Sequence, residues 1–254
     1  PAGTAGAVVA VADYAKNFAT NNVILVPNGS NKINGSTSTA KLDTNGIAVT
    51  LIFIDATKGW IVTDDGQANS VSQPRFISAT GGTITTVCTN FKVHTFTGPG
   101  TFCVSDAGNS AGANTIDYLV VAAGGGGGDG AGSSTNAGGG GGAGGYRESS
   151  GAASGCYTTS PLGSGVSALP VAVTGYPVTI GAGGTTGSSG SNSVFSGTTT
   201  ITSAGGGNGG NGSTSQTTGS TGGSGGGANT NPGAGAAGNT PPVSPPQGNP
   251  GGSG

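Results

Sequence analysis

The chain is 254 residues long, and 57 Gly with 13 Pro make up more than a quarter of it. Seven basic and nine acidic side chains leave a net charge of −2, with neither sign clustered. This excludes the basic footprint of a nucleic-acid binder and the polybasic or amphipathic helix of a membrane-surface protein; with 32% hydrophobic residues, only a modest apolar core is affordable.

Pro1, the absence of Met and the ending GNPGGSG read as a stretch of a longer polypeptide. The apolar run AGAVVAVA (5–12) is too short to span a bilayer. Residues 1–21 read as a connector, with one helical turn in VADYAKNFAT placing Tyr14 and Phe18 on one face. From Asn22 the signal becomes β. VILVP (23–27), SNKIN (30–34), TAKLD (39–43), IAVTLIFID (47–55) and GWIVT (59–63) are separated in part by Asn28-Gly29, Asn34-Gly35 and Asn45-Gly46. Such pairs suit turns that need positive φ. Ile47, Val49, Leu51 and Phe53 fall on one strand face, and Ala48, Thr50, Ile52 and Ile54 on the other. Trp60 is assigned to the core or to a subunit contact. Residues 22–65 thus form a β unit with little core of its own. A unit of this kind completes its core through neighbouring copies, so a symmetric oligomer is expected.

Residues 66–75 form a polar linker. A second β region, 76–207, opens with RFISATG and TITTV and continues into FKVHTFTGPGTFCV. Here Phe91, Val93 and Thr95 alternate with Lys92, His94 and Phe96, and the spacing predicts a hairpin turning at Thr97–Gly100 with Thr101–Val104 as its return strand. Six to eight short strands suit a sandwich or jelly-roll-like scaffold. Cys88, Cys103 and Cys156 allow a Cys88–Cys103 bridge or buried free thiols.

The glycine runs are the distinctive feature. The apolar stretch Tyr118–Val121 leads into Gly124–Gly128, and a second run follows at Gly138–Gly142. Free Gly-rich chains are flexible coils. Anchored ones can instead adopt the polyproline-II conformation, three residues per turn. Lacking Cβ atoms, several such helices can approach closely and bond laterally. Strand-like pieces at 174–184 and 192–207 return the chain repeatedly to a core, which favours this ordered form. Residues 208–254 continue the glycine-rich region; from Gly205 onward turns and Pro-rich pieces such as NTPPVSPPQGNP dominate, and this stretch reads as a polyproline-II spacer.

Little in the sequence supports catalysis. His94 is the one histidine, in an alternating strand, and reads as a strand-face residue without a catalytic task. GxGxxG matches arise by chance at this glycine content and lack a βαβ setting. GGGGGD (124–129) is a single unrepeated turn of a calcium β-roll pattern, so no metal site is assigned. Asp55, Asp64 and Asp65 read as turn carboxylates. No catalytic, cofactor or metal residue is expected, and the chain does not read as an enzyme.

The succession VHTFTGPGTFCVS, TIDYLVVAAGGGGG, YPVTIGAGG and SVFSGTTTITSAGGG resembles, over 76–254, the glycine-rich domain of bacteriophage structural proteins, in particular tail-fibre and adhesin tips of marine phages. It is distantly similar to the glycine-rich extracellular region of the anaplastic lymphoma kinase family. Residues 22–65 are similar to β units found upstream in phage fibres, whereas the inserts at 129–137 and 147–170 depart from the pattern. The resemblance implies an all-β chain: an N-terminal oligomeric β fibre unit, then a β-sandwich carrying polyglycine-II helices. It further implies a homotrimeric fibre on the tail or capsid of a virion, at an extracellular surface. Its partners would be itself, other virion proteins and a host cell-surface receptor, either a glycan or an outer-membrane protein. Neither nucleic acid nor membrane insertion is expected. Within and beside the inserts, Tyr146, Arg147, Glu148 and Tyr157 are the receptor-contact candidates, since aromatic and Arg side chains carry contact energy well. The alternatives are a purely architectural fibre or extracellular filament and, more remotely, a secreted glycan hydrolase fragment.

Overall fold

The computed structural model describes residues 2–65, 74–130, 137–150, 160, 167–212, 216–229 and 233–254. Among these residues there is no helix, and the chain is all-β. It divides into two compact units, Pro1–Ser78 with Asp106–Asn114, and Ala79–Ser105 with Thr115–Gly254.

The first unit contains β1 (Val8–Ala12), β2 (Val23–Leu25), β3 (Ala40–Leu42), β4 (Ala48–Asp55) and β5 (Gly59–Asp65). An antiparallel sheet runs in the order β1-β4-β5, and β2 pairs with β3 as a hairpin. The expected strand face is the buried one: Ile47, Val49, Leu51 and Phe53 are all within 7% of full burial. They pack with Ile33, Ala40, Leu42 and Trp60, whose indole meets the Phe53 ring edge-on at 5.5 Å. The unit therefore owns a core, contrary to the reading that it has little. The alternation of branched residues encodes one complete apolar face, and the β2–β3 hairpin supplies the lid that pattern-reading alone does not place.

Glycines after asparagine take the expected conformation, with φ of 60°, 84° and 74° at Gly29, Gly35 and Gly46. Two local expectations fail. SNKIN is not a strand; Ile33 makes only isolated bridges, one of them parallel to Trp60, fixed by Trp60 N donating to Lys32 O at 2.8 Å. No helical turn joins Tyr14 to Phe18: the i→i+4 bond runs later, from Asn21 N to Asn17 O at 2.8 Å, and Tyr14 is 99% exposed rather than paired with Phe18. The reason lies in Asp13. Its carboxylate accepts the amides of Asn17 (3.0 Å), Phe18 (3.0 Å) and, across the chain, Gly46 (2.9 Å), so the loop is organised by a side chain instead of helical bonding.

Burial opposes ionisation of Asp13, but the amides of Asn17, Phe18, Gly46 and Lys16 outweigh it and hold the carboxyl below its usual 3.8. Asp106 is lowered as well, first by the Arg75 guanidinium at 2.8 Å and then by the Gly108 amide. A lowered acid contributes stability above its unfolded value and loses it as pH falls through the folded value. The first unit is therefore expected to weaken progressively below pH 3.8, and Asp13→Asn should flatten that acid limb in urea melts; an equally steep limb in the variant would contradict this role.

The second unit carries β6 (Ile77–Thr80, shared at its start with the first unit), β7 (Thr83–Val87), β8 (Phe91–Thr95), β9 (Gly100–Ala107), β10 (Thr115–Ile116), β11 (Leu119–Val121), β12 (Tyr146–Glu148), β13 (Leu169–Pro170), β14 (Gly175–Thr179), β15 (Ser193–Ser196) and β16 (Thr200–Ser203). A five-stranded sheet has the order β16-β15-β14-β9-β6, with pairs β7-β8, β10-β13 and β11-β12 beside it. The expected β8–β9 hairpin is not formed. β8 pairs backwards with β7, and β9 pairs with β14, more than seventy residues on. Thr97–Gly100 is a corner between sheets; local turn chemistry signals a reversal but not its partner. Phe102, Tyr176 and Phe195 form the aromatic core, with centroids 5.9–6.4 Å apart. Cys103 is exposed and free while Cys88 is disulfide-bonded, so no Cys88–Cys103 bridge exists; Cys156 lies outside the described residues.

Beyond the sheets, the described residues include nine extended segments in the glycine-rich region: g1 (122–130), g2 (137–145), g3 (181–185), g4 (188–191), g5 (204–212), g6 (217–220), g7 (223–229), g8 (233–239) and g9 (247–254). Their backbone bonds repeat every third residue. From g1, the amides of Ala122, Gly125 and Gly128 donate to the carbonyls of Gly145, Gly142 and Gly139 in g2 at 2.8–3.0 Å. From g2, Gly139, Gly142 and Gly145 donate to Gly210, Gly207 and Ala204 in g5. From g5, Gly206, Gly209 and Gly212 donate back to Ala123, Gly126 and Asp129 in g1. A strand would bond with period two; period three in several lateral directions is the signature of packed polyproline-II helices, as the glycine runs predict.

Segment g5 is the centre. Residues 204–210 are buried without a break, and g5 bonds with g1, g2, g4, g6 and g7. The stretch expected to be a spacer thus begins with the most enclosed backbone of the unit. Gln247 closes the sheet end of the bundle: its buried side-chain amide accepts from Ala204 N and donates to Pro241 O, both at 2.8 Å.

A Cβ at Gly209 would collide with the Gly139 carbonyl, and one at Gly128 with that of Gly210. A Cβ at Gly140 meets nothing within 4 Å. Gly209→Ala is therefore expected to cost about 1–3 kcal/mol through backbone displacement, while Gly140→Ala gains about 0.4–1 kcal/mol from the unfolded state. Equal effects of the two on the denaturation midpoint would contradict the packing.

Candidate functional site

Of the four contact candidates, the three among the described residues, Tyr146, Arg147 and Glu148, do not form one exposed patch. β12 pairs antiparallel with β11, matching Val121 with Tyr146, Val120 with Arg147 and Leu119 with Glu148. Strand alternation puts Tyr146 and Glu148 on one face and Arg147 on the other. Glu148 is only 3% exposed. Its Oε2 accepts the Tyr146 hydroxyl at 2.8 Å, the Ser160 hydroxyl at 2.6 Å and the Ser160 amide at 3.3 Å. Burial, and then the bond to Glu148, raise the Tyr146 phenol above 10.0. Glu148 and Tyr146 are thus a buried polar anchor for the chain leaving g2. Arg147 is half-buried and makes no ion pair with Glu148; its charge lies near Tyr118. Tyr157 lies outside the described residues.

Next to this anchor, Ser149 is 1% exposed; its hydroxyl donates to Asp117 Oδ1 at 2.7 Å and accepts Tyr118 N at 3.0 Å. A nucleophilic serine needs a base, and the one histidine is engaged elsewhere. His94 Nδ1 sits 2.8 Å from Gly81 O, and its ring packs edge-on against Phe102 at 4.9 Å. A shallow depression of about 290 Å³ between Gly81–Thr83 and Thr95–Thr101 is lined by glycine, threonine, Pro99 and Phe96, with no titratable group. Asp55 is a turn carboxylate whose Oδ1 accepts Thr57 N and Lys58 N; the side chains of Asp64 and Asp65 lie outside what is described. Among the described residues no cluster of acids, His and Cys could hold a metal ion, and no helix is long and apolar enough to cross a membrane.

The geometry gathers a different set of residues. Every junction with the sheets lies at one end of the bundle: g1 leaves β11, g2 enters β12, g3 leaves β14, g4 approaches β15 and g5 leaves β16. At the opposite end four pairs of consecutive segments meet antiparallel, g1 with g2, g3 with g4, g5 with g6 and g7 with g8, so that the chain reverses there four times. The bonds show that these reversals are level. Gly187 donates to Gly127, Gly212 to Asp129, and Gly210 to Gly227. The second reversal is a tight turn in which Ser188 N donates to Thr185 O at 2.9 Å and Gly187 takes φ +71°. Asn211 and Gln216 pair across the third. Exposed at or beside this end are Asp129, Thr185, Thr186 and Ser188.

The family model for a glycine-rich domain matches residues 97–254. The chain belongs to this glycine-rich domain family. The match begins in the Thr97–Gly100 corner and runs from β9 through g9, taking in most of the second unit and Asp106–Asn114 of the first. No curated protein matches the chain. In this glycine-rich domain residue type points to aromatic and charged side chains as contacts and does not reveal the clustered reversals. Their signal is the Ser/Thr/Asn/Gln that interrupts the glycine at similar distances from each sheet exit.

Tyr146→Phe is expected to destabilise the glycine-rich domain by about 1–3 kcal/mol, since it strips a donor from a buried carboxylate. Arg147→Ala should change stability by under about 0.5 kcal/mol. A Tyr146→Phe protein with an unaltered urea midpoint would make the tyrosine a free contact residue instead of an anchor.

Proposed function

We propose that this chain is a virion fibre protein of a phage, a homotrimer whose glycine-rich domain holds polar turns out to a host surface. The observation that carries the reading is the gathering of four reversals at the sheet-distal end of one backbone-bonded bundle. Helices that bond through their own main chain tolerate changes at the turns without repacking, so the turns can vary while the support stays fixed. Asp129, Thr185, Thr186 and Ser188 present hydroxyls and a carboxylate, groups suited to hydrogen-bonding a glycan or an outer-membrane protein. Each contact is weak, and three copies on one fibre would act together. Association of copies is supported by the outer face of the first unit's sheet, where Val8, Ile52 and Ile61 form one row, with Val8 59% and the neighbouring Ile54 48% exposed.

The test is binding of the purified full chain to a panel of bacterial cells and glycans, beside a Thr185→Lys/Ser188→Lys variant. The expected result is trimer-dependent binding to a subset of surfaces, lost in the variant at unchanged melting temperature, without turnover of any glycan. An intact oligomer that binds none of them would leave the architectural fibre as the better reading, and glycan turnover would favour a hydrolase.

A further inference from the structure

Segments g1 and g2 differ from the rest of the bundle's surface. Elsewhere, apart from Gly183, Gly252 and Gly254, exposed positions carry side chains: Ala182 and Thr185 in g3, Thr186 beside it, Thr221 between g6 and g7, Ala234 and Ala237 in g8. On g1 and g2 the exposed positions include Gly124, Gly127, Gly138, Gly140 and Gly141. At three of these a side chain would fit: a Cβ at Gly124 or Gly127 comes no closer than 3.6 or 3.5 Å to another atom, and one at Gly140 meets open space. Exposed glycine where alanine fits is destabilising, by about 0.4–1 kcal/mol per site. Packing within the bundle does not explain why these sites remain bare.

The same face presents unused main-chain groups. The amides of Gly124, Gly127, Gly138 and Gly141 and the carbonyls of Gly138 and Gly141 take part in none of the backbone bonds that tie the bundle together. They repeat at three-residue intervals, about 9 Å along each helix. A strand bearing side chains could neither approach such a surface nor match its repeat. A side-chain-free helix could do both. Direction imposes no restriction, because g1 already bonds antiparallel to g2 and parallel to g5.

We infer that the g1–g2 face is a self-association surface, on which the same face of a second copy of this chain docks backbone to backbone as a further layer of polyglycine helices. The second copy is favoured as the occupant because its own g1–g2 face carries the required bare glycines and the same repeat. This contact is separate from the apolar sheet face of the first unit and does not depend on host binding.

Sedimentation equilibrium of the full chain carrying Ile54→Lys, which charges the first unit's exposed sheet face, reads the bundle contact. The added substitutions are Gly124→Gln, Gly127→Gln and Gly140→Gln. The expected result is concentration-dependent association of the Ile54→Lys protein that weakens at least tenfold in the quadruple variant, with an unchanged or raised urea midpoint. Should the added substitutions together disturb folding, Gly140→Gln alone in the Ile54→Lys background, at a site with no neighbour within 4 Å, is expected to weaken association at least threefold. Monomeric behaviour of the Ile54→Lys protein at all concentrations, or equal association with folded glutamine variants, would overturn the inference.

Discussion

The bundle depends on main-chain amides and carbonyls of neighbouring glycine segments satisfying one another at every third residue. Buried peptide groups must find partners, and in g5 they find them on five surrounding segments. This takes the place of a side-chain core. Among the described residues, apolar burial in the unit comprises Phe102, Tyr176 and Phe195 with Val104, Ala122, Leu169, Ile201 and Ala204, too little to order more than a hundred further residues on its own. The role of glycine here is steric: at Gly206, Gly207 and Gly209 the Cβ position is occupied by a carbonyl oxygen of a neighbouring segment, from Gly142, Ser220 and Gly139. Cα–H···O contacts across these gaps add a second-order attraction.

The same constraint assigns roles to the few polar side chains inside. Gln247 supplies an amide where the lattice runs out at the sheet end, and its two bonds replace those of a missing peptide group. Asn208, buried in g5, accepts from Ser189 Oγ at 3.3 Å and donates to Gly209 O at 3.1 Å. Glu148 and Tyr146 fasten the return from g2 to the sheet. Tyr146 and Glu148 read as binding candidates in the sequence because charged and aromatic side chains are rare there. In the folded unit their rarity marks the few places where side chains must complete a backbone network.

Much of the architecture is legible in the sequence. Period-two alternation in 47–55 identifies the buried face of β4, and the Asn-Gly pairs give the positive-φ turns. The five-glycine runs behind an apolar strand point to polyglycine helices. What is illegible has a common cause: it depends on partners far away in the chain. Nothing local distinguishes β9 pairing with β14 from β9 pairing with β8, or shows that Asp13 reaches Gly46. Nor does composition separate g5, enclosed on all sides, from a solvated tether with the same residues. The contact candidates were chosen by residue type, whereas the clustered reversals follow from the register of the bundle.

Hydrogen exchange resolved to single amides tests the central claim most directly. If glycine backbones hold one another, the amides of Gly206, Gly207, Gly209 and Gly210, each bonded at 2.8–3.0 Å, exchange as slowly as those of Val178 and Phe195 in the five-stranded sheet. Exchange of these glycine amides near the free-peptide rate, beside a protected sheet, would contradict the account.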